Sequence, residues 1–297
     1  MACSTRPSRS RIVAAGCSAV FSVLIIALSG CSFDPSAFES GGTDPDSPDG
    51  GEPDGGVVVD PAKARCQESL RGLAFDWEDS EAGWAHDRLP EVASISPTAW
   101  LFDSWERGTA TTGPGACHGG SGCWATNLAG NYASCQRAYL ESPVMDLSEC
   151  SSFDVSLQFF QAHDFSAGKQ SSDEWRDGGI IEFSSDGGTT WQSAVSDAYT
   201  GDVLIDAQRF SGGLPYTCFE KDNFHVQGRQ GFVNKSNGWQ KVRVGIPQAL
   251  RTSDFRVRFV YSSSAVISSA VVSESMKKTA PGWYLDDLGI ELGSAAE

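Results

Sequence analysis

The chain has 297 residues, with 38 acidic side chains against 22 basic ones and a net charge of −16. An acidic surface without any Lys/Arg-rich run argues against nucleic acid or anionic lipid headgroups as partners. Apolar residues make up 40% of the chain, enough for a sizeable core, and their distribution separates three regions.

The first region is built like a secretory signal. Arg6, Arg9 and Arg11 precede an uncharged stretch from Ile12 to Ser29, with an apolar block from Ala19 to Leu28. It closes on Leu28-Ser29-Gly30-Cys31, an aliphatic residue, two small residues and Cys. This ending resembles the lipobox of bacterial lipoprotein precursors. Cys17 also follows small residues, but it lies too close to Arg11 to leave room for an apolar block. The resemblance implies that residues 1–30 are a signal peptide, that Cys31 carries a diacylglycerol thioether, and that its new amino group is acylated. The partner is then a membrane, reached through a covalent lipid. Each buried methylene contributes about 0.8 kcal/mol, so several chains hold where one holds marginally. Ser32 stands where many relatives retained in the inner membrane have Asp, which implies an outer-membrane lipoprotein of the cell envelope, facing the periplasm or the surface. Cleavage removes three Arg and no acid, leaving a charge of about −19.

Residues 31–65 read as the lipidated Cys followed by an acidic linker rich in Gly, Pro and Asp. From Gly41 to Gly56 there is almost no apolar residue. Such a segment cannot bury a core and is expected to be a disordered tether. Its flexible-chain reach is roughly 30 Å, extended further by charge repulsion.

Residues 66–297 read as one large domain. Short apolar or alternating runs recur at Leu73–Trp77, Phe153–Phe160, Gly179–Phe183, Trp239–Val244, Phe255–Tyr261 and Trp283–Leu292, without long helical periodicity. In Phe255–Tyr261 every second residue is apolar, which predicts a half-buried strand with Arg256 and Arg258 on a wet face. The sum is an all-β, antiparallel two-sheet sandwich. Six cysteines follow Cys31: Cys66, Cys117, Cys123, Cys135, Cys150 and Cys218. In an oxidising compartment they predict three disulfides, with the pairing left open. Cys117 and Cys123 flank a Gly-rich loop that one bridge could pin. A metal–thiolate use of this pair with His118 is disfavoured, because exported thiols oxidise.

Two motifs stand out. Ser184-Ser185-Asp186-Gly187-Gly188-Thr189-Thr190-Trp191 predicts a tight hairpin locked by the Asp186 side chain. It also resembles the Asp-box of sialidases, a repeated motif in those enzymes that occurs once here. The other is Pro281–Ile290, an apolar strand carrying adjacent Asp286 and Asp287. Strand neighbours point to opposite faces, so the two cannot both face the core. The domain begins with Phe75-Asp76-Trp77-Glu78-Asp79, more carboxylates beside aromatic anchors. If first and last strands pair, the clusters meet, and several carboxylates with backbone carbonyls suit Ca²⁺.

Phe75-Asp76 with Gly83-Trp84, the run Cys123–Tyr132, Leu140–Ser148, the Asp-Gly-Gly hairpin and Gly282–Leu288 occur in that order. Together they resemble the jelly-roll modules of the MAM, cleaved-adhesin and immune-inhibitor-A accessory type over residues 73–292. The resemblance implies a two-sheet antiparallel jelly roll with structural calcium joining the first and last strands. Its implied ligands are Asp76 or Glu78 and Asp286 or Asp287, with Asn127 as a further candidate. Gln161–Arg176 and Thr200–Lys235 look like insertions.

Support for catalysis is thin. The chain has no His-Glu-x-x-His or Gly-x-Ser-x-Gly, and His86, His118, His163 and His225 are scattered. The expected function is a lipid-anchored, non-catalytic adhesion or binding module for glycan or protein, with no catalytic residues. The alternatives are a hydrolase of polysaccharide or sialoside and a structural envelope component. Trp100, Trp105, Trp175 and Trp239 are candidates for stacking on sugar faces.

Overall fold

A computed structural model of the chain describes residues 60–89, 103–132, 136–166, 175, 177–203, 228–263 and 279–293. All of them belong to the body Val57–Glu297. It opens with helix α1 (Pro61–Leu70), capped by the Asp60 carboxylate on the Ala62 N–H at 2.9 Å. A Pro in the first turn and an Asp before it are standard helix-start chemistry. The helix occupies part of the range assigned to the tether. Its Cys66 is bonded to Cys150, which ends the short 3₁₀ turn Ser148–Cys150.

Thirteen strands follow among the described residues: β1 (Ala74–Phe75), β2 (Ala85–Arg88), β3 (Glu106–Gly108), β4 (Cys123–Ala125), β5 (Arg137–Glu141), β6 (Val155–Asp164), β7 (Gly178–Ser184), β8 (Gln192–Ser193), β9 (Gly201–Val203), β10 (Arg229–Gly231), β11 (Gln240–Gly245), β12 (Arg256–Ser262) and β13 (Gly282–Leu292). One sheet has the order β11-β6-β13-β4-β3, with β1 paired to β13; the second has the order β2-β5-β12-β7-β8. Strands β9 and β10 form a separate ribbon. All strand pairs are antiparallel. From β4 to β7, and again from β11 to β13, the chain crosses from one sheet to the other at every connection. This interleaving is a jelly roll, so the expected fold class holds.

The core lies between the sheets. From β12 it takes Val257, Phe259 and Tyr261, from β6 Leu157 and Phe159, and from β11 Val242 and Val244. These are the alternate residues that the period of two assigns inward. Trp283 of β13 is fully buried, with Phe165, Phe232, Phe259 and Trp105 ring centroids at 5.6–6.3 Å.

Three local expectations change. Arg258 is on the face away from the core, as expected, but that face is not wet at this point. Its Nε meets the fully buried Glu182 at 2.7 Å and its guanidinium lies 4.2 Å from the centre of the Trp191 ring. Gln161–Asp164, expected within an insertion, continue β6. Finally, the register of β13 on β6 shifts between Asp286 and Gly289, and Asp287 adopts φ 47°. That bulge breaks strict alternation at the two aspartates.

Of the expected disulfides, Cys66–Cys150 and Cys117–Cys123 are formed. Cys135 and Cys218 lie outside the described residues.

Candidate functional site

The Cys117–Cys123 bridge closes the loop His118–Gly122 and leads directly into β4. Carboxylates from the beginning and the end of the domain converge on this loop. Glu78, after β1, accepts the N–H of Ser121 at 2.8 Å and that of Gly122 at 3.2 Å. From β13, Asp286 accepts the N–H groups of His118 at 2.8 Å and Gly119 at 3.0 Å through one oxygen, and its own neighbour's N–H at 2.9 Å through the other. Asp287 meets His118 Nδ1 at 2.6 Å. The bulge lets both aspartates reach the loop, Asp286 fully buried and Asp287 partly exposed. Beneath them β1 pairs with β13, Ala74 opposite Gly289.

Glycine is required where the loop passes the Trp77–Glu78 backbone. A Cβ at Gly122 would overlap the carbonyl oxygen of Trp77 and sit 3.1 Å from Glu78 Cα, both parts of the backbone. Gly122→Ala is therefore expected to destabilise the domain by about 1–3 kcal/mol, as overpacking does where neighbours cannot move. Urea unfolding measures it.

The electrostatics follow from these contacts. Backbone N–H bonds from Ser121 and Gly122 hold the Glu78 carboxyl below its usual pKa. Burial pushes Asp286 up to about 6, opposed by the Gly119 N–H. Of the nominated ligands, Glu78, Asp286 and Asp287 share the loop. Asp76 and Asn127 hold their own turns, Asp76 accepting the Glu78 N–H at 3.3 Å, Asn127 accepting the Ala129 N–H at 3.1 Å and donating to the Asn131 carbonyl at 2.9 Å. Calcium requires about six to eight oxygens. Here the groups facing Glu78 and Asp286 are donors, backbone N–H groups and the Ser121 hydroxyl, and the Trp77 carbonyl accepts from Arg107 at 2.9 Å. In this arrangement an added ion would have to displace those donors. The sulfurs of Cys117 and Cys123 lie near Asp286, but they are bonded to each other and offer no thiolate.

Beside the loop lies the outer face of the first sheet. The His118 ring stacks on Phe160 of β6, centroids 3.5 Å apart and 14° from parallel. Trp239 stands edge-on to His118 at 5.9 Å and donates its indole N–H to the Ala116 carbonyl at 3.2 Å. Of the four nominated tryptophans, Trp239 is at this partly exposed surface. Trp105 is buried in the core, Trp175 is partly exposed and bridges to Val203, and Trp100 lies outside the described residues.

The histidines occupy separate places. His86 pairs with Asp103. His163 is buried, and desolvation pushes its pKa down to about 4. His225 lies outside the described residues. Sequence reasoning missed the His118–Asp287 pair, because the two are far apart in the chain and nothing local announces the contact.

The Asp186 hairpin between β7 and β8 forms as expected. Asp186 accepts the Thr190 N–H at 2.8 Å, the Thr190 hydroxyl at 2.6 Å and the Ser184 hydroxyl at 2.7 Å. The Thr190 bonds lead in pulling its pKa down to about 2 from 3.8. A carboxyl with a depressed folded pKa stabilises above its unfolded pKa and loses that contribution as pH falls through the folded value. Wild type is expected to lose stability between pH 4 and 2 more steeply than Asp186→Ala. Melts across that range measure the difference.

No protein-family model matches the chain, and no curated protein matches it. Among the described residues no helix is long and apolar enough to cross a membrane.

Proposed function

We propose that the protein is a lipid-anchored cell-envelope lipoprotein, displaying a non-catalytic jelly-roll module that binds a glycan or a protein. The observation that carries the module is the junction of the domain's ends: β1 pairs with β13, and Glu78, Asp286 and Asp287 meet at one loop. The resemblance to the MAM and cleaved-adhesin modules implies that the first and last strands are joined at such a place, by calcium. Leu28-Ser29-Gly30-Cys31 supports the anchor on Cys31, and the acidic residues after it supply the tether.

The test incubates the full chain with insoluble polysaccharides, envelope proteins and a panel of soluble glycosides. Retention by a glycan or a protein, with no release of reducing sugar, is expected. Turnover abolished by a single Asp or Glu substitution would replace this reading with a hydrolase. Calcium belongs to the reading if an ion displaces the loop donors, with Asp76, Glu78, Asp286 and Asp287 as its carboxylates. Melting with calcium and with chelator decides: an ion-dependent Tm establishes it, and an unchanged Tm with no bound metal removes it.

A further inference from the structure

We infer that the outer face of the first sheet, along β11 and β6, is a binding site for an anionic glycan, a sugar chain bearing carboxylates. This rests on the binding-module reading above and names the ligand class.

The argument begins with a period of two. In β11 the side chains of Val242 and Val244 enter the core, so Lys241 and Arg243 stand on the opposite face and are exposed. Trp239, two residues before Lys241, extends the same row. The register with β6 sets Lys241 beside Phe160 and Arg243 beside Gln158. Lys241 Nζ is 6.0 Å from the centre of the Phe160 ring, and that ring carries His118. Two cations, an aromatic group of three rings and the partly exposed Gln158 amide thus share one surface.

Charge sets this surface apart. The protein carries a large acid excess, and Arg229, Lys235, Arg251 and Arg256 each face a carboxylate. Lys241 and Arg243 form no ion pair among the described residues, and the carboxylate beside this surface, Asp287, is engaged by His118. Arg243 is nevertheless oriented, since its Nε donates to the Ser156 hydroxyl at 2.7 Å. That bond leaves the two terminal guanidinium nitrogens as a fork, the geometry that recognises a carboxylate. The aromatic group offers apolar surface to sugar C–H faces, and Gln158 offers an amide to hydroxyls. Anionic lipid is a poorer match, because recognition of that kind uses clusters of about four to eight basic residues. An uncharged glycan would leave the two cations without a counterpart.

The test is affinity electrophoresis of the full lipidated chain in detergent, through gels containing a polyuronate, a neutral glucan of equal length or an acidic polypeptide. The polyuronate is expected to retard the wild type, and retardation falls as salt rises. Lys241→Glu with Arg243→Glu should weaken it by roughly tenfold or more. Lys241→Gln with Arg243→Gln should weaken it with Tm unchanged, and Trp239→Ala should weaken it with Tm lowered by no more than about 4 °C. An unretarded wild type, or a charge-reversed variant retarded as strongly as wild type, overturns the inference. Preference for the neutral glucan or for the acidic polypeptide also overturns it, while the binding-module reading stands. No ligand at all, in these gels and in the retention assay, removes both.

Discussion

Replacing Cys66 and Cys150 together by alanine is expected to lower the stability of the domain by about 4–5 kcal/mol. The bridge spans 84 residues, so it removes a large loop-closure entropy from the unfolded chain, which grows with the logarithm of loop length. Both sulfurs are fully buried, and Cys66 and Leu70 pack α1 into the main core. In a domain of this size the loss corresponds to roughly 10–15 °C in Tm. Denaturant unfolding of oxidised wild type and the double variant measures it. The same replacement at Cys117 and Cys123, which are 6 residues apart, should lose only about 2–3 kcal/mol from chain entropy. A smaller effect at Cys66–Cys150 than at Cys117–Cys123 would mean that α1 is not an integral part of the folded body.

Trp283→Ala is the second large effect, expected at about 3–5 kcal/mol. Its side chain is fully buried near the start of β13, the strand hydrogen-bonded to β1, β4 and β6. Its indole N–H donates to Gln161 at 2.7 Å. On the facing sheet, Gly179 has no side chain where a Cβ would overlap the indole ring. Truncation therefore opens a cavity that Gly179 cannot fill and leaves the buried Gln161 oxygen without this donor. The strand that loses its anchor also carries Asp286 and Asp287, so amide exchange of His118 and Gly119 should rise in the variant. Trp239→Ala, at the partly exposed surface, should change stability by less than about 1 kcal/mol. The contrast between the two tryptophans separates the core from the partly exposed surface proposed to bind.

Several of these features were legible in the chain itself. Period-two runs announce β11 and β12, because a strand buried on one face must alternate. Asp186 announces its own hairpin, because an Asp-Gly-Gly turn satisfies its bonds within a few residues. The Cys117–Cys123 loop was legible for the same local reason. Long-range partners were not. Nothing near Asp286 shows that its acceptors meet the N–H groups of a loop 167 and 168 residues away. The bulge that turns Asp287 to the same loop has no marker in an apolar strand. Arg258 reads as solvent-facing until Glu182 of β7 and Trp191 after it are seen against it. Helix α1 did have a signal, Asp60-Pro61, but it sits at the end of a Gly/Pro-rich segment and is only 10 residues long.

Display at a membrane is the central claim, because a binding face on a tether acts only where the tether is fixed. Labelling cells that express the full chain with radioactive palmitate tests it directly. The account predicts label on wild type that fractionates with membranes, and no label on Cys31→Ser. Unlabelled wild type, or label retained in Cys31→Ser, would contradict it.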